Sequence, residues 1–456
     1  MNRPHVSLAL GSLLLACSAH APAPRATEPA PSSTPAAVAS APAPDAGKVS
    51  KTALDRIGES YVVLVLSLGE HDPGFVDAYY GPAELQERAK TAARSLESIR
   101  LDAVVLRDEL AKVSDPEAQT QSRRQYLDRQ LAAVIARVDA RSGTKLSFDQ
   151  ESLTVYDAVS PDFDEAHFVA LVKELDPLLP GKGSLQERYS ALRKRFEIPK
   201  DKLDAVFRRA LEACRERTMA HLTLPAGESF TLEYVTDKPW AGYNWYKGGF
   251  KSVIQLNTSL PTHIDRALDV ACHEGYPGHH VYNMLLEQHL VNERGWVEHT
   301  VYALFSPQSL IAEGTANYGV ELAFPGDTRW QWERDNLFPL AGFDPKLAES
   351  YYRLLGLTKK LEYAGNVAAK RYLDGQMTSK QAIAWLMRFT LATRERAEQR
   401  VRFFDNYRAY VINYNVGRDL VRKYVETEAG SDEGARWRTF NDLLASPRLP
   451  RDLARN

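Results

Sequence analysis

His273-Glu274-Gly275-Tyr276-Pro277-Gly278-His279-His280 gathers three of the chain's 11 histidines into one short run, with a glutamate beside the first. Imidazole nitrogen and carboxylate oxygen are donors that divalent zinc takes. A His-Glu pair on a helix, followed by another His, combines two ligands with a general base. The plain His-Glu-x-x-His spacing is absent, because the position four after His273 is Pro277. An interior proline costs a helix about 3 kcal/mol, and each glycine about 1 kcal/mol relative to alanine. A segment selected only to be helical would not hold Gly275, Pro277 and Gly278 together. A kink at Pro277-Gly278 is expected to swing a later histidine back toward His273. His279, which follows a glycine, is the expected second ligand. His280 is the alternative, nearly on the face of His273 but about 10 Å along a straight helix. One zinc ion per chain is the expected cofactor.

Upstream, Thr262 and Asp265 form a capping pair for a helix whose apolar stripe is Ile264, Ala267, Leu268 and Ala271, with His273 on the opposite side. Residues 229–235 and 251–256 are rich in β-branched and aromatic residues and read as strands of one small sheet. The second of these, with Asn257 beyond it, is expected to offer its edge to an extended peptide. Tyr243, Asn244 and Lys247 just before it are expected to line the same cleft. Downstream, Ser306-Pro307 starts a helix on which Glu313, Asn317 and Glu321 share one stripe. Glu313 is the leading candidate for a third ligand, and Asn317 for a substrate contact. The remaining long stretches near 83–142, 183–218, 344–373 and 393–425 have helical periodicity, and Thr378 with Gln381 marks another helix start. The fold expected is mainly α, with a small β-sheet preceding the site helix.

The 456 residues are 44% hydrophobic, enough for a large core, and the formal net charge of −2 argues against a nucleic-acid partner. Residues 1–17 read as a signal peptide, and Leu14-Leu15-Ala16-Cys17 resembles a bacterial lipobox with Cys17 as the lipidated residue. Such an anchor holds a protein at a membrane, here expected to be the outer one. Residues 18–50 are Ala, Pro and Ser-rich and read as a disordered tether. A helical region is expected over 51–225 and a site-bearing core over 226–456. Cys214 and Cys272 are read as separate, with Cys272 a small buried residue of the site helix.

The central run resembles the His-Glu-x-x-Pro-Gly-His-His signature of the bacterial DUF885 family. Glu313-Gly314-Thr315-Ala316-Asn317-Tyr318 is similar to that family's Glu-Gly-Trp-Ala-x-Tyr, and Tyr414-Asn415-Val416-Gly417 to its Tyr-Lys-Ile-Gly. His71-Asp72-Pro73 and Val76 to Pro82 also resemble family text. Thr315 stands where the family has Trp, and Arg408-Ala409-Tyr410 replaces Pro-Gly-Gln. The resemblance implies a zincin-like helical metallopeptidase core. It implies zinc held by His273, His279 and Glu313, Glu274 as base and Tyr414 as donor to an oxyanion. The activity expected is zinc-dependent hydrolysis of short peptides in the cell envelope. A non-catalytic metal- or ligand-binding lipoprotein, and a hydrolase of a non-peptide bond, stay open as alternatives.

Overall fold

The computed structural model describes residues 51–114, 117–238, 240–259 and 261–454; the signal peptide, Cys17 and the tether lie outside the described residues. The first helix, Ala53–His71, begins at a reciprocal cap in which Asp55 N donates to Thr52 Oγ1 at 3.2 Å and Thr52 N to Asp55 Oδ2 at 2.9 Å. It buries every residue from Tyr61 to Leu68. A helix apolar on all sides belongs inside a protein, and here it is packed round by the helices that follow.

Five short strands punctuate an otherwise helical chain: β1 (Val76–Tyr79), β2 (Ser229–Val235), β3 (Gly242–Gly248), β4 (Lys251–Asn257) and β5 (Val301–Ala303). β1 and β5 pair antiparallel. The other three form a sheet in the order β2-β4-β3, with β2 parallel and β3 antiparallel to β4. In β4 the alternate residues Ser252, Ile254 and Leu256 are buried, so one face of the strand packs inward. The mainly helical chain with a small sheet ahead of the histidine-rich segment therefore agrees with the sequence pattern. The edge role expected of residues 251–256 does not, because β4 is the central strand with both edges paired. Residues 242–248, read as cleft-lining loop, form an outer strand instead.

Two hydrophobic cores share residues 51–454. One draws mainly on residues 54–179, 301–310 and 354–416, the other on 196–296, 311–351 and 421–453. The helix Pro307–Ala323 stands between them, giving Leu310 to the first and Ile311, Ala312 and Tyr318 to the second. It packs on the helix Ile412–Ala429 at backbone distance. A Cβ on Gly314 would lie 2.5 Å from the carbonyl carbon of Gly417, and one on Gly417 would lie 2.6 Å from Leu310 O. Only glycine permits that approach.

Two local expectations are corrected. Cys214 and Cys272 are joined in a disulfide. The helices Leu203–Met219 and Ile264–Glu274 pack face to face through Ala210, Leu211, Ala267 and Leu268, which brings both buried thiols together across 58 residues of sequence. The cap of the second helix is His263, without a side-chain bond, rather than Thr262. Asp265 is drawn away by Arg193 Nη1 at 2.7 Å and Tyr351 Oη at 2.6 Å.

Candidate metal centre

The helix carrying His273 does not kink at Pro277; it ends at Glu274, and a new helix, His279–Leu286, begins after four intervening residues. Gly275 N closes the first helix on Ala271 O at 3.0 Å, and Gly278 N reaches back to Cys272 O at 3.0 Å. The chain doubles back so closely that a Cβ on Gly278 would overlap the carbonyl groups of Cys272 and His273. This turn sets the imidazoles of His273 and His279 edge to face, with centroids 4.6 Å apart and planes at 88°.

His280 faces the other way. Its ring is fully buried, with Nδ1 2.7 Å from Ser252 Oγ on β4 and Nε2 3.1 Å from Glu228 Oε2. Both nitrogens are therefore committed, and neither is free for the cluster that His279 joins. Glu228 also accepts from Tyr276 Oη at 2.5 Å and pairs with Arg215. Burial opposes its charge, but these bonds outweigh burial and hold its carboxyl at about 2.

Glu313 comes from the septum helix between the two cores. Its Oε1 accepts from Tyr410 Oη at 2.9 Å. Its Oε2 lies 3.3 Å from His273 Nε2 and 3.9 Å from His279 Nε2, and is buried without a hydrogen bond. Such an orphan costs about 1–3 kcal/mol, more when charged. A cation shared with two imidazole nitrogens would satisfy it, so the donor set fits a divalent metal with zinc-type ligands. The donor atoms of His273, Glu274 and His279 also lie within 4.8 Å of one another, which offers Glu274 as a rival third ligand. The electrostatics separate the two carboxylates. Burial opposes the charge of Glu313, yet the adjoining imidazoles and the Tyr410 hydroxyl hold it below the usual carboxylate range. Burial pushes Glu274 up to about 7, with the charge of Glu313 adding to the rise and His273 opposing it. A ligand is needed ionised and a proton acceptor near neutrality, so Glu313 is the better suited of the two to a cation and Glu274 to a proton. Burial works against a charge on His273, but Glu313, Glu274 and Asp269 overcome it and lift the imidazole to about 9; burial and the His273 charge lower His279 to about 4.

These groups open on a cavity of about 790 Å³. Asn244 lines it and donates from Nδ2 to Glu274 O at 2.8 Å, fixing the backbone at Glu274. Tyr243 lines it too, its hydroxyl bonded to Asp77. Asn317 Nδ2 bridges Glu313 O at 3.0 Å and Tyr414 O at 3.2 Å, and the Tyr414 ring borders the cavity. Two expected contacts lie elsewhere. Lys247 is exposed on the outer strand, its ammonium 5.3 Å from the Trp245 ring. Asn257 spends its amide on Lys238 O and Trp240 O at 2.7 and 2.8 Å, closing a turn. Lys247 shares the strand face of Tyr243 and Trp245 but lies further along β3, beyond the cavity, and Asn257 is held by its turn. Tyr410 and Asp77 were not singled out from sequence as site residues. Tyr410 belongs to the aromatic run from Phe403 to Tyr414, where nothing in the pattern marks one ring as facing a carboxylate. Asp77 is pushed up to about 7 by burial and by the charges of Glu313 and Glu274, which places it on the same cavity.

No protein-family model matches the chain, and no curated protein matches it. The family resemblance therefore rests on the quoted motifs alone. Two solved structures are similar to it at low identity, each described as a "putative lipoprotein". The one from Colwellia psychrerythraea has a TM-score of 0.51 at 15% identity, covering 80% of this chain and 68% of that one. The other, of unknown function and from Shewanella oneidensis, has a TM-score of 0.41 at 14% identity, covering 79% and 75%. The first likeness establishes a shared fold and nothing about chemistry.

Proposed function

We propose that this protein is a zinc-dependent hydrolase with a zincin-like core, acting on short peptides in the cell envelope. The observation that carries the reading is the unsatisfied Glu313 Oε2 between His273 and His279, with Glu274 alongside. His273, His279 and Glu313 would hold the ion. When bound, zinc supplies Lewis-acid polarisation and lowers the pKa of water toward 7. The chain's own groups supply the rest. Glu274, near neutrality, is suited to take a proton from the attacking water and hand it to a leaving amine. Asn244 holds the Glu274 backbone, and Tyr410 holds Glu313 through its other oxygen. The Tyr414 hydroxyl is kept protonated, its pKa raised well above normal by burial and then by Glu313, so it remains a donor for a developing oxyanion. The lipobox ending in Cys17 supports a lipid anchor, and the description of the Colwellia protein agrees with it.

The test is metal content of the purified chain, followed by cleavage of mixed peptide, ester and cell-wall amide substrates with and without a chelator. We expect about one zinc per chain and chelator-sensitive peptide cleavage. Glu274→Gln should retain zinc and lose at least about 100-fold in turnover. A variant that cleaves like the wild type removes Glu274 from the mechanism, and a protein that binds zinc but cleaves nothing is a binding lipoprotein.

A further inference from the structure

Four arginines line the smaller cavity, and three have partners. Arg137 Nε bonds Asp72 at 2.6 Å, Arg266 pairs with Asp269, and Arg141 Nη2 donates to His71 O at 3.4 Å. Arg400, on the helix Arg394–Tyr407, makes no hydrogen bond or ion pair among the described residues. Its guanidinium lies 4.8 Å and 5.6 Å from the ring centroids of Phe403 and Phe404. These contacts orient the plane but leave its donors open. Two arginines deeper in the protein are matched by acids: Arg123 by Glu298 and Asp55, and Arg193 by Asp265.

The position of Arg400 matters as much as its lack of a partner. It lies where the smaller cavity meets a second one of about 1160 Å³, sharing that wall with Asn317 and Tyr414. His273, Glu274, His279 and Glu313 line the smaller cavity as well, so Arg400 and the cluster face one space. Arg400 is half-buried with its nitrogens open to the cavity, no acid of the chain bonds it, and its planar fork matches a carboxylate at two points.

We infer that Arg400 anchors a carboxylate of the substrate, next to the bond held at the His273–His279–Glu313 cluster. The inference rests on the hydrolase reading for what happens at that bond, but the carboxylate site itself does not require turnover. The carboxylate has two sources: the free end of a peptide, or an acidic side chain within one. The first makes the protein an enzyme that acts from the C-terminal end; the second makes it selective for acidic residues.

The full chain is titrated, after chelator treatment, with N-acetyl-trialanine as the free acid, with its C-terminal amide, and with an amidated peptide carrying one central Glu. Wild type should bind a carboxylate-bearing probe about 10-fold more tightly than the trialanine amide, as expected for a half-buried charge pair of bidentate geometry. Arg400→Gln should abolish that preference, and Arg400→Lys, which keeps charge but loses the fork, should restore part of it. Recovery with the acid alone identifies the peptide terminus; recovery with the Glu peptide identifies a side chain. Equal binding of acid and amide by wild type, no binding of any probe, or a preference that survives in Arg400→Gln overturns the inference. A carboxylate preference without any chelator-sensitive cleavage would sink the hydrolase reading and leave this one standing. Cleavage indifferent to the carboxylate and to Arg400 would do the reverse.

Discussion

The contact between Gly314 and Gly417 joins the two helices that carry Glu313, Asn317 and Tyr414, so a methyl group there acts on the site without touching it. In Gly314→Ala the added carbon would stand 2.5 Å from Gly417 C, 2.6 Å from its O and 2.9 Å from its Cα. Non-bonded carbon contacts settle at about 3.5–4.0 Å, so the helices must part by roughly 1 Å. Overpacking of this kind costs about 1–3 kcal/mol, and the better helix propensity of Ala returns up to about 1 kcal/mol, so the net effect is destabilising. Gly356→Ala provides the control. That exposed helical glycine has nothing within 4 Å of its missing Cβ, so the same change should stabilise by about 0.5–1 kcal/mol. Urea unfolding measures both. Zinc affinity, read against a chromophoric chelator, should fall in Gly314→Ala, and turnover should drop on the order of 100-fold for a 1 Å displacement. Gly417→Ala should behave alike. The double variant should cost less than the two singles together, because the second methyl enters a gap the first has opened. An unchanged unfolding midpoint and zinc affinity in Gly314→Ala, or strictly additive costs, would refute the reasoning.

The disulfide closes a loop of 58 residues, so Cys214→Ala with Cys272→Ala should lower unfolding free energy by about 4 kcal/mol, measured by urea denaturation; a loss under about 1 kcal/mol would count against it. Glu228, held at about 2 against its usual 4.5, contributes stability that is complete above pH 4.5 and is lost as pH falls toward 2. Glu228→Gln should remove that share of the acid sensitivity, and parallel pH–stability curves for variant and wild type between pH 6 and 3 would exclude it.

Much of the helical framework could be read from local chemistry. The Thr378-Gln381 pair does cap the helix Ser379–Phe389. Pro307 does start a helix, although Ser306 turns its hydroxyl to Ala303 O rather than capping. What failed was non-local. β3 is bounded by glycines and holds Asn and Lys, so its propensity was weak, and pairing with β4 decided its state. The disulfide depends on two helices meeting, which neither cysteine's neighbours announce. His279 and His280 are adjacent, and only the turn at Gly278 separates a ring aimed at Glu313 from one aimed at β4. Arg400 sits in a run of charged residues where nothing local distinguishes the one that faces a cavity.

The septum helix has a mechanical consequence. His273 and His279 belong to the side packed by one core, Tyr410 to the other, and Glu313 to the helix between them. An ion gripped by these donors would work as a rivet through two plates. Pulling it out would loosen the joint between the halves of the molecule rather than leave one small hole.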